Sequence, residues 1–117
     1  MLRKQSILAD FFLGSVHAIT ENGEIVIASA TGSQLPSYVF TSQNVIWVVG
    51  AQKITPTLEI AIKRVKEYVF PLEDKRMKSV YGPNSGSMIG KLLIFENEAR
   101  FLGRKITLLL VNEILGF

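Results

Sequence analysis

The sequence predicts an α/β domain with a mixed, largely parallel sheet flanked by helices. Three observations carry that expectation. Val45-Ile46-Trp47-Val48-Val49 is an unbroken apolar run ended by Gly50, the pattern of a strand buried on both faces, as in parallel sheets. Leu58, Ala61, Ile62, Val65 and Val69 recur at helical spacing, with Glu59, Lys63, Arg64, Lys66 and Glu67 on the other face, as in an amphipathic helix. Asn22-Gly23 separates two β-rich stretches and marks a hairpin. Strands alternating with helices, plus a hairpin, give α/β layers.

Taken in order, Met1 to Asp10 reads as the last turns of a helix. Phe11 to Thr20 is β-rich, and Glu24 to Ser29 is its return strand. Ala28 to Ser37 is then a loop of small and hydroxyl-bearing residues. The spacing of Leu35, Tyr38, Val39 and Phe40 suits a short helix over Gln34 to Ser42, with Pro36 in its first turn, where a missing N–H is harmless. Thr55-Pro56 reads as a helix start, Thr as N-cap and Pro at the first helical position. Pro71 is expected to end that helix, and Leu72 to Val80 to form a second, shorter one. Tyr81 to Ser87 is a loop by composition. Lys91–Glu96 and Lys105–Val111 are two further strands, joined through Asn97 to Arg104.

The chain has 117 residues, the size of one domain with one core. Its 48% hydrophobic content and mean hydropathy of +0.29 are high for that size. No apolar run approaches the roughly 20 residues that cross a bilayer, so the surplus belongs in buried strands or on a face that another chain covers. The net charge of +3 comes from Lys and Arg interspersed with Glu and Asp, so the clusters Lys63-Arg64-Lys66 and Lys75-Arg76-Lys78 read as solvated helix faces, with no nucleic-acid partner expected. Cysteine is absent, which removes disulfides, thiolate-bound zinc, iron–sulfur ligation by this chain and a cysteine nucleophile. A single histidine leaves little room for a transition-metal site, and no metal or cofactor is assigned. The N-terminus shows no signal-peptide pattern, so a cytoplasmic location is expected, without membrane contact.

Two loops are candidates for chemistry. Thr31, Gly32, Ser33 and Gln34 follow an apolar run and precede a helix start. Glycine permits close approach, hydroxyls donate, and a helix N-terminus favours negative charge. The loop is neither Gly-x-x-x-x-Gly-Lys nor Gly-x-Gly-x-x-Gly, and it fits equally a tight turn with Ser33 as N-cap. The second loop supplies Asn84, Ser85 and Ser87 as donors and Lys91 as a cation; meeting at one sheet edge, the two would form a pocket for a small anion. His17 reads as a hydrogen-bonded structural residue. Glu21, Glu96, Glu98 and Glu113 are potential bases that no spacing pairs, and Trp47 reads as core.

Four segments, in order, resemble the LUD (lactate-utilisation) domain family. They are Ala9-Asp10-Phe11-Phe12-Leu13-Gly14-Ser15-Val16-His17-Ala18-Ile19-Thr20-Glu21-Asn22-Gly23, the loop Ala28-Ser29-Ala30-Thr31-Gly32-Ser33-Gln34-Leu35-Pro36, the segment Val45-Ile46-Trp47-Val48-Val49-Gly50-Ala51-Gln52-Lys53-Ile54, and the ending Lys105 to Phe117 with Glu113-Ile114-Leu115-Gly116-Phe117. The resemblance implies a fold like the sugar-phosphate isomerase and CoA-transferase superfamily, whose members bind phosphorylated or acyl ligands over glycine loops. It also implies association with L-lactate oxidation to pyruvate through iron–sulfur partner subunits. Family domains usually begin upstream, so the chain reads as one partial LUD-type domain, residues 1–117, lacking the upstream half. Many members carry a cysteine loop before the final strands; the corresponding Tyr81 to Ser87 here has none, so no metal or redox role is carried over to it.

Two functional classes therefore compete. One is a domain that binds a small anionic or phosphorylated ligand at Thr31–Gln34 with help from Tyr81–Lys91. The other is a non-catalytic interaction or structural subunit. A sheet face left open by the missing half would be covered in a homodimer or larger assembly.

Overall fold

The structure is a computed structural model that describes residues 9–117; the expectation for Met1 to Asp10 falls largely outside them. Among the described residues seven strands form two sheets. Strands β1 (Phe11–Gly14), β4 (Asn44–Gly50) and β7 (Lys105–Val111) make a wholly parallel sheet in the order β1-β4-β7. Strands β2 (Ala18–Thr20), β3 (Ile25–Ser29), β5 (Ile54–Thr55) and β6 (Lys91–Phe95) make a second sheet in the order β5-β2-β3-β6. Only the β2–β5 pair of that sheet is parallel. The α/β class therefore holds, with the strands divided between two layers.

Alternation along the strands shows how the layers stack. Ile19, Ile25 and Ile27 of the second sheet meet Val45, Trp47 and Val49 of the parallel sheet in one core cluster. Ala18 and Val26, pointing the other way, pack with Ala61 and Val65 of the helix in a second cluster. The second sheet is thus the middle layer, between the parallel sheet and the helix. Phe12, Tyr38, Trp47 and Phe95 cross the first cluster as an edge-to-face ladder with centroids 5.3, 5.3 and 5.4 Å apart. Each such contact adds about 0.5–1.5 kcal/mol to its area burial.

This layering corrects the reading of the 45–49 run. Val45, Trp47 and Val49 are buried, but Ile46 and Val48 are only half-buried, because no described element covers the outer face of the parallel sheet. The strands buried on both sides are β2, where Ala18, Ile19 and Thr20 all are, and β3 over Ile25, Val26 and Ile27.

The Asn22-Gly23 hairpin joins β2 to β3 as expected, with Gly23 at φ 94°. Thr55 does not cap the helix. The residue before proline is driven to extended backbone, so Thr55 stays in β5 and donates its hydroxyl to the Ile19 carbonyl at 3.1 Å. Thr57 is the N-cap, accepting from the Ile60 N–H at 3.2 Å. Nor does Pro71 end the helix. Helix α1 (Leu58–Arg64) passes through a wide turn over Val65–Val69 into helix α2 (Phe70–Tyr81), with Pro71 in the first turn of α2. In the wide turn the Phe70 N–H reaches back to the Val65 carbonyl, and such insertions are where a helix absorbs a proline.

The segment after the glycine loop is one wide turn over Ser37–Thr41, entered at Pro36 without a side-chain cap. Ser33 is therefore not an N-cap, and there is no helix of useful length whose dipole would act on the loop. The 96–104 connection is anchored by Arg104. Its guanidinium donates to the carbonyls of Ser42 (2.8 Å), Ser37 (2.9 Å) and Tyr38 (2.8 Å) and pairs with Glu98 at 2.6 Å.

Candidate functional site

Strand β2 is shorter than its neighbour, and the site lies where its ladder stops. Ala18 pairs with Val26, which leaves the Ala28 N–H and the Val16 carbonyl without strand partners. Backbone groups in that position must find others. The His17 imidazole accepts from the Ala28 N–H through Nδ1 at 3.1 Å, and Lys53 Nζ donates to the Val16 carbonyl at 2.9 Å and to Ser15 Oγ at 3.4 Å. Lys53 is held there by the tight turn Ala51–Lys53 that follows β4.

Both side chains line a cleft of about 410 Å³ between the end of β3 and the helix. Val65, Val69, Glu73 and Met77 form its helical wall, residues 87–89 and Ala28–Ala30 the opposite wall, and Phe117 closes one end. The end is fixed by side chains. Gln52 exchanges hydrogen bonds with main-chain Leu115, donating at 2.8 Å and accepting at 3.4 Å, and Arg64 donates to the main-chain oxygen of Phe117. Gly50 leaves room for this tail: a Cβ there would stand 2.7 Å from the Leu115 nitrogen.

Electrostatically the cleft is asymmetric. Lys53 is 5% exposed, and no carboxylate pairs with it among the described residues. An ammonium has three donors, and two are used. Burial, and then the charge of Arg64, push its pKa down. Arg64 keeps a buried Nη1 without an acceptor among the described residues. His17 is pushed down to about 4, first by burial, then by Lys53, with Glu73 opposing. It is therefore neutral, with its proton on Nε2 because Nδ1 accepts. Glu73 is gripped in two-point fashion by Arg76, at 2.8 and 2.6 Å, which lowers its pKa and spends most of its charge.

Of the residues expected to bind, Gln34 and Ser87 reach this cleft. Gln34 accepts from Ser29 Oγ at 3.0 Å, leaving its amide NH₂ as a donor. Ser87 is positioned by its N–H, which donates to Asp74 at 2.8 Å. The Gly32 N–H is taken by Ser29 Oγ at 2.8 Å, and the Ser33 N–H by Thr31 Oγ1 at 3.3 Å. Gly32, at φ 82°, carries the stem of Lys91 against it: a Cβ there would be 2.6 Å from Lys91 Cδ. The two loops do meet, through Lys91 over Gly32 and the Gly90 N–H donating to the Ser29 carbonyl at 3.0 Å. Asn84 is exposed and away from the cleft, and Ser85 donates to the Tyr81 carbonyl at 3.1 Å, finishing helix α2. Thr31, Gly32, Ser33 and Lys91 likewise lie outside the lining.

Lys53 and Glu73 were not singled out by the residue patterns. A signal for Lys53 existed: a lone lysine three residues beyond the glycine that ends an apolar strand sits at a strand's carboxyl end, where α/β sheets place ligands. Nothing local marks Glu73. Among the described residues no helix is long and apolar enough to cross a membrane.

No curated protein and no solved structure matches the chain. The family model described as LUD domain matches residues 1–85, which include β1 to β5, the glycine loop, His17, Lys53 and both helices. The chain belongs to the LUD domain family.

Proposed function

We propose that the chain binds a small anionic or phosphorylated ligand in the cleft at Lys53, and that this binding serves lactate utilisation. The LUD domain is associated with lactate-utilisation proteins; a role in L-lactate oxidation to pyruvate, with iron–sulfur partner subunits, is the finer form of the reading. One observation carries it. Lys53 is a buried ammonium that opens on a cleft and has no carboxylate partner among the described residues. Burying a cation without its counter-charge is costly, and an anion in the cleft relieves that cost. Gln34 and neutral His17 supply further N–H donors, and Ser87 a hydroxyl. Thermal melts with lactate, CoA and sugar phosphates test this. At one hundred times Kd a ligand stabilises by about 2.7 kcal/mol, and Lys53→Met should remove the shift. No rise with any of them at millimolar concentration sinks the reading.

A second reading rests on the outer face of the parallel sheet. Phe11, Leu13 and Leu109 there are 68%, 69% and 49% exposed, beside half-buried Ile46 and Val48. Parallel sheets are ordinarily covered on both faces. A homodimer burying this face accounts for the pattern. Light scattering should give twice the 13.0 kDa chain mass, and Leu109→Lys should halve it; a wild-type monomer at micromolar concentration refutes the dimer.

A further inference from the structure

The shape of the cleft narrows the class of ligand, given the reading above that Lys53 holds an anion. Val65, Val69, Glu73 and Met77 recur every four residues along one continuous helical path. At 1.5 Å per residue the stripe from Val65 to Met77 runs about 18 Å. Its two ends differ. At the Val65 end lie the cations Lys53 and Arg64 and the docked Phe117. At the far end lie Met77 and Met88, flexible apolar side chains that adapt to variable shapes. Glu73, the acidic group between them, is already held by Arg76.

The cleft is also larger than a three-carbon acid fills. Its volume of about 410 Å³ corresponds to roughly fourteen waters at about 30 Å³ each, and the six non-hydrogen atoms of lactate displace on the order of four. A ligand confined to the charged end would leave the apolar stripe wet.

We propose that the cleft takes a linear amphipathic monocarboxylate, a medium-chain acid of about six to ten carbons, with its carboxylate at Lys53 and its hydrocarbon chain along Val65 and Val69. The carboxylate meets the unpaired ammonium, and the chain covers Val65 and Val69, ending short of the methionines. No covalent step is involved.

Calorimetric titration of the intact chain with lactate, hexanoate, octanoate and decanoate, all below micelle-forming concentration, tests the assignment. Each added methylene should tighten binding about fourfold, so decanoate should bind on the order of 200-fold more tightly than hexanoate. Decylamine should not bind, since its ammonium would face Lys53. Val69→Thr, a near-isosteric change that places a hydroxyl in the path of the chain, should weaken octanoate and decanoate severalfold and leave lactate within twofold; unchanged circular dichroism would show that the fold survives. Equal affinity for lactate and decanoate, both lost in Lys53→Met, would overturn the amphipathic ligand and leave the anion site standing. Decanoate binding undiminished in Lys53→Met, or matched by decylamine, would overturn the placement of the carboxylate. Binding of none of the four acids would overturn the proposal and count against the anion reading as well.

Discussion

Lowering the pH from 7 to 5 should destabilise the fold by about 1–2 kcal/mol through His17 alone. Burial, and the charges of Lys53 and Arg64, bring its pKa from 6.5 to about 4, with Glu73 partly opposing. The unfolded chain takes up the proton as the pH falls through 6.5, whereas the folded chain does so only near 4. Stability is therefore full above 6.5 and lost between 6.5 and 4. Linkage with those two values gives about 2 kcal/mol between pH 7 and 5; the imidazole is partly open to the cleft, so solvent screening reduces this toward about 1 kcal/mol. Carboxylates barely interfere in that window, because their unfolded pKa values lie near 4 and those of Glu73 and Asp74 are lowered further in the fold. Urea unfolding followed by Trp47 fluorescence at the two pH values measures the loss. His17→Asn should flatten it, since an amide oxygen can still accept from the Ala28 N–H but does not titrate. The chain has one histidine, so a single imidazole Cε1 proton resonance reports the folded pKa directly. A midpoint near 6.5, or the same pH slope in His17→Asn, would refute the buried neutral imidazole.

Two further substitutions test the packing that holds the cleft in place. Arg104→Met should cost about 3–5 kcal/mol by denaturant unfolding, because it strands Glu98 and three carbonyls that the guanidinium now satisfies; a loss below about 1 kcal/mol would mean that the loop is held by something else. Gly14→Ala should cost about 1–3 kcal/mol by overpacking, since its Cβ would fall 1.8 Å from Tyr38 Oη. Combining it with Tyr38→Phe should recover part of that loss, and strict additivity of the two would show that the hydroxyl is not the obstacle.

The periodic parts of the chain were legible without coordinates. The helical stripe from Leu58 to Val69, the Asn22-Gly23 hairpin and the four longer strands all depend on local spacing, and local spacing is what a sequence displays. Which sheet each strand joins was not legible. Phe11 to Thr20 reads as one β-rich stretch, yet it divides at Ser15–His17 and serves two layers, a choice made by partners more than twenty residues away. Pro71 carries the local signal of a helix end, and the wide turn before it overrides that signal. The glycine loop was rightly placed at a strand end, but Ser29 and Thr31 consume the amide donors that made it attractive. The cleft arises from the early end of β2, which brings His17 and Lys53, 36 positions apart in sequence, to neighbouring orphan backbone groups. No spacing rule encodes that.

Everything proposed for the cleft depends on Lys53 receiving an anion. A heteronuclear NMR titration with lactate and with octanoate, on the wild type and on Lys53→Met, tests it most directly. Saturable shifts are expected at the amides of Ala28, Ser29, Gln34 and Ser87, present in the wild type and absent in Lys53→Met. Undiminished shifts in Lys53→Met, or shifts confined to Phe11, Leu13 and Leu109 on the open sheet face, would contradict it.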